Sequence, residues 1–176
     1  MGDTAELVAQ ARNGDHTAFA ELYDRHARLI RAICYDATAH LASAEDLAQD
    51  VFLRAHQKLN QLRDGEKFAP WLCEIARRAG RDWQRRTRRG GKHLTTAQEV
   101  DRATPEEAPQ IGGLRDAIRQ LPEDERMALH LFYLDEQPAE VARQILGLSQ
   151  SGFYKLLERA RSRVSFIMRR NEEAIR

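Results

Sequence analysis

Apolar residues recur along most of this chain at intervals of three and four, the period of one face of an α-helix. Asp15 can cap a helix whose apolar positions are Phe19, Leu22, Tyr23, His26, Ile30 and Ile33. His26 on that stripe reads as a packed histidine, because no second ligand lies at helical spacing. Ser43 followed by Asp46 resembles a capping box with Asp in place of Glu, opening a helix with Leu47, Val51, Ala55 and Leu59 on one side. Asp64-Gly65 breaks the chain. Pro70 fits the first turn of the next helix, where its missing N–H costs nothing. Leu72, Ile75, Ala76, Ala79 and Trp83 form that helix's buried stripe, and Arg77, Arg78, Arg81 and Arg85 occupy its other face.

The period fails between Thr87 and Gly113, where Gly90-Gly91, Pro105, Pro109 and Gly112-Gly113 interrupt the chain. So long a stretch does not belong inside a compact domain. It predicts a flexible linker over residues 91–112 between domains at 1–90 and 113–176. Helical spacing resumes at Leu114, Ala117, Ile118 and Leu121, and Pro122 starts a helix running to Leu134. No strand alternation is convincing. The expected fold is all-α: an N-terminal helical bundle and a C-terminal helix-turn-helix domain.

The turn chemistry is clearest from Gln137 to Arg161. Pro138 opens a short helix with Val141, Ala142, Ile145 and Leu146 inward, and Gly147 supplies the left-handed residue that ends it. Leu148 plugs the gap and Ser149 caps the next helix. That helix buries Phe153, Leu156, Leu157 and Ala160. Gln150, Ser151, Tyr154, Lys155, Glu158 and Arg159 are left outside, where a helix in a major groove meets base edges and phosphates. An ordinary helical hairpin with a solvated basic face is the alternative.

Charge sharpens this picture. Residues 77–92 hold eight basic side chains against Asp82 alone, and residues 143–170 hold seven against Glu158 alone. Removing those fifteen basic and two acidic residues from the totals of 28 and 27 leaves 13 and 25, a net of −12. Two basic stripes on an acidic body suit two contacts with a polyanion and an acidic surface for a basic protein partner. The net charge of +1 conceals this division.

Among 176 residues, 42% are hydrophobic and 31% charged, which suits a folded, soluble protein. No apolar run approaches the ~20 residues that span a bilayer, so no membrane insertion is expected. The first residues lack the basic start and apolar stretch of a signal peptide. Cys34 and Cys73, the only cysteines, are expected to pack reduced in a cytoplasmic protein.

Several blocks resemble a known family. Ala18-Phe-Ala-Glu-Leu-Tyr23, Ala44-Glu-Asp-Leu-Ala-Gln-Asp-Val-Phe-Leu-Arg54 and Phe68-Ala-Pro-Trp-Leu-Cys-Glu-Ile-Ala-Arg77 look like the second region of bacterial sigma-70-type factors. Leu121-Pro-Glu-Asp-Glu-Arg126 and the helix-turn-helix ending Glu158-Arg-Ala-Arg161 look like the fourth. Their order, with only a linker between them, resembles the extracytoplasmic-function (ECF) subfamily, which lacks the third region.

The resemblance implies a dissociable subunit of RNA polymerase that selects promoters, needs no cofactor and has no active site. It places core polymerase against Asp46, Leu47, Gln49, Asp50 and Arg54. Acids stabilising a helix N-terminus would look similar. The resemblance also implies capture of a melted minus-ten base by the loop Asn60 to Lys67. Asn60 and Asp64 would read its edge, and Arg63 and Lys67 would hold the backbone. Trp71 is a stacking candidate or a core residue, and Arg77, Arg78, Arg81 and Arg85 form a phosphate ladder or a solvated face. The duplex minus-thirty-five element falls to Ser149, Gln150, Ser151, Tyr154, Lys155, Glu158, Arg159 and Arg161. Tyr154 stands where the family usually carries a basic residue, and Leu156 where it carries Arg. Gly152 inside the helix costs about 0.8–1 kcal/mol relative to Ala.

Core RNA polymerase, promoter DNA and an anti-sigma factor or other regulator are the expected partners. The competing reading is a helix-turn-helix regulator with an N-terminal dimerisation domain, which needs no basic stripe beside the Asn60 to Lys67 loop. An enzyme is disfavoured, because no metal-ligand cluster, phosphate-binding Gly loop or nucleophile motif is present.

Overall fold

A computed structural model describes residues 3–89, 109–136 and 138–175. Its elements are α1 (Thr4–Arg12), α2 (His16–Thr38), α3 (Leu41–Lys58), two 3-10 turns (Leu59–Gln61 and Gly65–Lys67), α4 (Phe68–Arg89), α5 (Pro109–Arg119), α6 (Glu123–Leu134), α7 (Pro138–Leu146) and α8 (Gln150–Ile175). No strand occurs among the described residues, and the fold is all-α. The chain divides into two compact units, Met1–Gln98 and Glu99–Arg176. Residues 90–108, most of the expected linker, and Gln137, the start of the expected helix-turn-helix, lie outside the described residues.

In the first unit α2 packs against α1, α3 and α4. Asp15 caps α2 as its sequence position indicates, accepting from the backbone N–H groups of Thr17 at 2.8 Å and Ala18 at 3.2 Å. The buried face of α2 is Ala18, Leu22, Ala27, Leu29, Ile30, Ile33 and Cys34, rotated from the expected stripe. Phe19, Tyr23 and His26 sit at its edge. Small residues that carry little hydropathy signal, Ala18 and Ala27, take the positions where helices approach.

Two local expectations change. The helix α3 begins three residues earlier than the capping box implies, with His40 as its cap: Nδ1 accepts from Ser43 N–H at 3.4 Å. Ala39 makes the left-handed turn before it at φ 58°. Asp46 therefore lies well inside α3, where a dipole explanation for its charge is weak. In α4 the core positions are Phe68, Ala69, Leu72, Cys73, Ala76, Ala79 and Gly80, while Ile75 and Trp83 stay half-buried. Gly80 is required by proximity, since a Cβ there would lie 2.8 Å from the Ala37 Cβ.

The sequence pattern gave no helix before Asp15, yet α1 buries Leu7, Val8 and Ala11. It buttresses the segment between α3 and α4. Arg12 Nε donates to the Leu59 carbonyl at 3.2 Å, and a Cβ on Gly65 would come within 2.9 Å of the Ala5 Cα.

His26 packs its ring 5.4 Å from Phe68. Burial, and then the Arg25 charge, push its imidazole down to about 4. The unfolded chain protonates this ring near pH ~6.5 and so binds more protons between those values. The contribution to stability is intact above about pH 6.5 and is lost as pH falls towards 4. His26→Gln is expected to flatten that part of the pH dependence, as measured by denaturant unfolding across the range. A slope identical to the wild type's contradicts the assignment. Cys34 and Cys73 are both buried, and burial followed by the Asp36 charge raises the Cys34 thiol to about 12.

In the second unit α6 and α8 pack together, with α5 and α7 against them. Leu121, Leu129, Leu157 and Ala160 form a core to which Ile118, Phe132 and Val164 add. The helix α5 begins at Pro109 and runs through Gly112, the last residue of the expected linker, into Gly113. Phe153, Leu156, Leu157 and Ala160 are buried as expected, but α8 continues well past Arg161 to Ile175.

Candidate nucleic-acid and protein interfaces

Three surfaces collect the residues singled out from the sequence. On α3, Asp46, Gln49 and Asp50 are exposed along one face. Leu47 is not part of that face: it is buried, and it belongs to the bundle core. Leu53, which the sequence pattern did not single out, continues the ridge and is 57% exposed. Its signal was available, since it stands three to four residues after Gln49 and Asp50 and outside the apolar stripe. Arg54 lies 4.0 Å from Asp50, a solvent-exposed pair worth under about 1 kcal/mol that leaves the acid available. Beside the ridge, a groove of about 190 Å³ runs between α3 and α4, lined by Asp46, Asp50, Arg54, Trp83 and Arg86 among others.

The loop from Asn60 to Lys67 is two 3-10 turns rather than an open segment. Leu59, Leu62 and Phe68 anchor it in the core, and Asn60, Arg63, Asp64 and Lys67 remain exposed. Asp64 builds the loop: its Oδ1 accepts from Glu66 N–H at 3.1 Å and its Oδ2 lies 3.5 Å from Lys67 Nζ. Trp71 is half-buried with its ring 6.0 Å from that of Phe68.

Arg77, Arg78, Arg81 and Arg85 share one face of α4, at about 100° per residue. Glu74 on the same face holds Arg78 at 2.9 Å and Arg81 at 3.6 Å. Asp82 pairs with Arg85, whose hydrogen bond leads in holding the Asp82 carboxyl below its ordinary range. A count begun at Arg77 omits Glu74 and so overstates the unopposed charge. Exposed pairs of this kind are weak, and a phosphate can exchange for the carboxylate.

In the second unit the turn between α7 and α8 has the expected chemistry. Gly147 lies at φ +66°, and Ser149 Oγ accepts from Gly152 N–H at 3.1 Å. A Cβ on Gly152 would lie 3.3 Å from Ser149 Oγ, a tight contact with the capping hydroxyl. Ser149 and Ser151 hydroxyls are 3.2 Å apart, so both serve the helix start.

Gln150, Ser151, Tyr154, Lys155 and Glu158 lie exposed along the outer side of α8. Arg159 and Arg163 occupy one flank, facing Glu125 of α6 at 3.8 and 3.2 Å. Arg161 lies on the other flank, its guanidinium 4.6 Å from the Phe132 ring centre and 5.4 Å from that of Tyr133. That stacking turns Arg161 towards α6 rather than along the outer ridge. Arg143, counted in the basic stripe, is paired with Glu140 on α7.

Comparison with known proteins bears on both units. Residues 22–90 match the family described as sigma-70 region 2, and residues 111–164 match that described as sigma-70, region 4. The chain is 33% identical over 167 residues to the probable RNA polymerase sigma factor RfaY of Xanthomonas campestris pv. campestris, covering 89% of this chain and 42% of RfaY. It is 30% identical to the ECF RNA polymerase sigma factor SigW of Bacillus subtilis, covering 73% and 77% of the two chains. With the RNA polymerase sigma factor CarQ of Myxococcus xanthus it shares 32% identity, covering 78% and 82%. The fold matches that of a solved structure of CnrH in complex with the cytosolic domain of CnrY, with a TM-score of 0.67 at 21% identity, covering 94% and 96%. Among the described residues, no helix is long and apolar enough to cross a membrane.

Proposed function

The chain belongs to the sigma-70 family of RNA polymerase sigma factors, in its ECF group, and on that premise we propose how its surfaces divide the work of promoter selection. The α3 ridge of Asp46, Gln49, Asp50 and Leu53, with Arg54 beside it, docks on core polymerase. The Asn60 to Lys67 loop and the arginine face of α4 take the melted minus-ten strand. Asn60 reads the base edge, Asp64 shapes the loop that presents it, and Arg63, Lys67, Arg77, Arg78, Arg81 and Arg85 hold phosphates. Extruding a base costs a few kcal/mol of unstacking, which polar edge contacts and basic side chains offset. The outer side of α8 enters the duplex major groove at the minus-thirty-five element, with Tyr154, Lys155 and Glu158 outermost.

The single observation that carries this division is the arginine face of α4, the helix that directly follows a loop whose polar side chains remain exposed. A regulator that only dimerises through its N-terminal unit has no use for a second nucleic-acid surface there. CnrH was solved with the cytosolic domain of CnrY. By analogy with that fold, we assign this chain a regulatory polypeptide partner that occupies its binding surfaces until transcription is required. Its place of action is the cytoplasm, where core polymerase and DNA meet, and its contribution is binding rather than catalysis.

Gel filtration of the protein with core polymerase and a promoter duplex tests the reading. Co-elution with core, and a DNA shift that requires both proteins, is the expected outcome. A DNA shift by the chain alone, unchanged by core, supports the dimeric regulator instead.

A further inference from the structure

Glu125 is a carboxylate on the buried face of α6, only 4% exposed among Met127, Ala128, Leu129 and Leu131. A buried acid is costly unless paired, so its neighbours define its purpose. Two arginines from α8, one turn apart, meet it. Arg163 Nε stands 3.2 Å from Oε2 and Arg159 Nε 3.8 Å from Oε1, both as charge contacts without hydrogen-bond geometry. Approach through Nε leaves the terminal N–H groups of each five-donor fork for a second acceptor. Both side chains stay open to solvent, at 63% for Arg159 and 45% for Arg163. They flank the outer ridge of Tyr154, Lys155 and Glu158.

We propose that Glu125 is a positioning residue that holds Arg159 and Arg163 as a paired clamp for the backbone phosphates of duplex DNA. This rests on the reading of α8 as the duplex-facing helix. A free arginine loses rotamer freedom on binding phosphate, and drawing two guanidiniums towards one buried carboxylate in the folded protein lowers that loss beforehand. If the residue served packing alone, an apolar side chain of similar volume would do at least as well. A competing effect has the opposite sign. The Glu125 charge lowers the local positive potential, so a carboxylate that merely screened the arginines would weaken DNA binding. The sign of one substitution therefore decides between positioning and screening.

The test uses holoenzyme, formed from core polymerase and the full chain, on a duplex promoter fragment that the wild-type holoenzyme selects from genomic DNA. Glu125→Gln keeps the shape and removes the charge. It is expected to weaken binding several-fold at physiological salt and to reduce the salt slope by roughly one to two units, the phosphates no longer held. In an Arg159→Ala/Arg163→Ala background the same substitution is expected to change neither. Arg163→Lys keeps the charge, loses the fork and leaves no acid without a cation nearby, so it separates geometry from folding; it is also expected to weaken binding.

Tighter binding by Glu125→Gln, or an unchanged slope, overturns the proposal in favour of screening. A wild-type slope that survives Arg159→Ala/Arg163→Ala also overturns it, while leaving promoter selection by the remaining residues intact. Failure of the wild-type holoenzyme to select any fragment removes the underlying reading, and this inference with it.

Discussion

The double substitution Asp46→Lys/Asp50→Lys is expected to weaken association with core polymerase by roughly 100-fold, about 2.7 kcal/mol at 25 °C. Both acids are exposed on α3 and their nearest structural obligation is slight, a 4.0 Å approach between Asp50 and Arg54. Reversing two charges on a docking ridge sets like against like where the partner is basic, and such juxtapositions cost several kcal/mol. The fold loses almost nothing, because an exposed pair contributes under about 1 kcal/mol. Binding measured by surface immobilisation of core polymerase, alongside circular dichroism, separates the two effects. Leu53→Ala is expected to lower core affinity without lowering stability, and Leu47→Ala to do the reverse, since Leu47 is buried. Wild-type core affinity in the Asp46→Lys/Asp50→Lys variant sinks the assignment of the ridge.

Lys155→Ala and Asn60→Ala are expected to fail at different stages of initiation. Lys155 is exposed on the outer side of α8, and Asn60 is exposed on the first 3-10 turn after α3. Loss of a phosphate contact at Lys155 reduces the salt slope of duplex binding by about one unit. Loss of a base contact at Asn60 costs roughly 1–3 kcal/mol and relaxes sequence preference, but only once the strand is open. Lys155→Ala therefore weakens the closed complex, while Asn60→Ala spares it and impairs opening. Duplex binding beside permanganate reactivity of unpaired thymines reads the two steps. Equal loss of duplex affinity in both variants favours a protein that contacts only closed DNA.

The helical architecture was legible because its signals are local and strong. Asp15, Gly147 and Ser149 act where their side chains and backbone freedom place them, and the apolar face of Phe153, Leu156, Leu157 and Ala160 is buried as its spacing requires. Less legible were features set by contact between elements. The short α1 carries only Leu7, Val8 and Ala11 inward, and its use lies in supporting a loop some fifty residues away. Alanines and Gly80 mark close helix approach, yet their small side chains offer less apolar area than Tyr23 or Trp83, which stay at the edges. His40 caps α3 through a ring nitrogen, a cap that the usual Ser, Thr, Asp and Asn signals do not flag.

The candidate surfaces divide in the same way. Exposure of Asp46, Gln49, Asp50 and Lys155 follows from helical period alone. Leu47 falls within the contiguous run that the family motif names, yet the helix turns it, as a neighbour of an exposed acid, towards the core. The roles of Asp64, Glu74 and Glu125 depend on hydrogen bonds and ion pairs that sequence spacing only partly encodes. Glu125 is the extreme case, thirty-four residues from the nearer arginine it faces.

Run-off transcription with core polymerase and a pool of genomic duplex fragments tests the central claim most directly. The account predicts discrete transcripts that require both core and this chain, with permanganate-reactive thymines at the minus-ten position of the selected promoters. Sequence-specific duplex binding by the chain alone, with no transcripts and no strand opening when core is added, would contradict it.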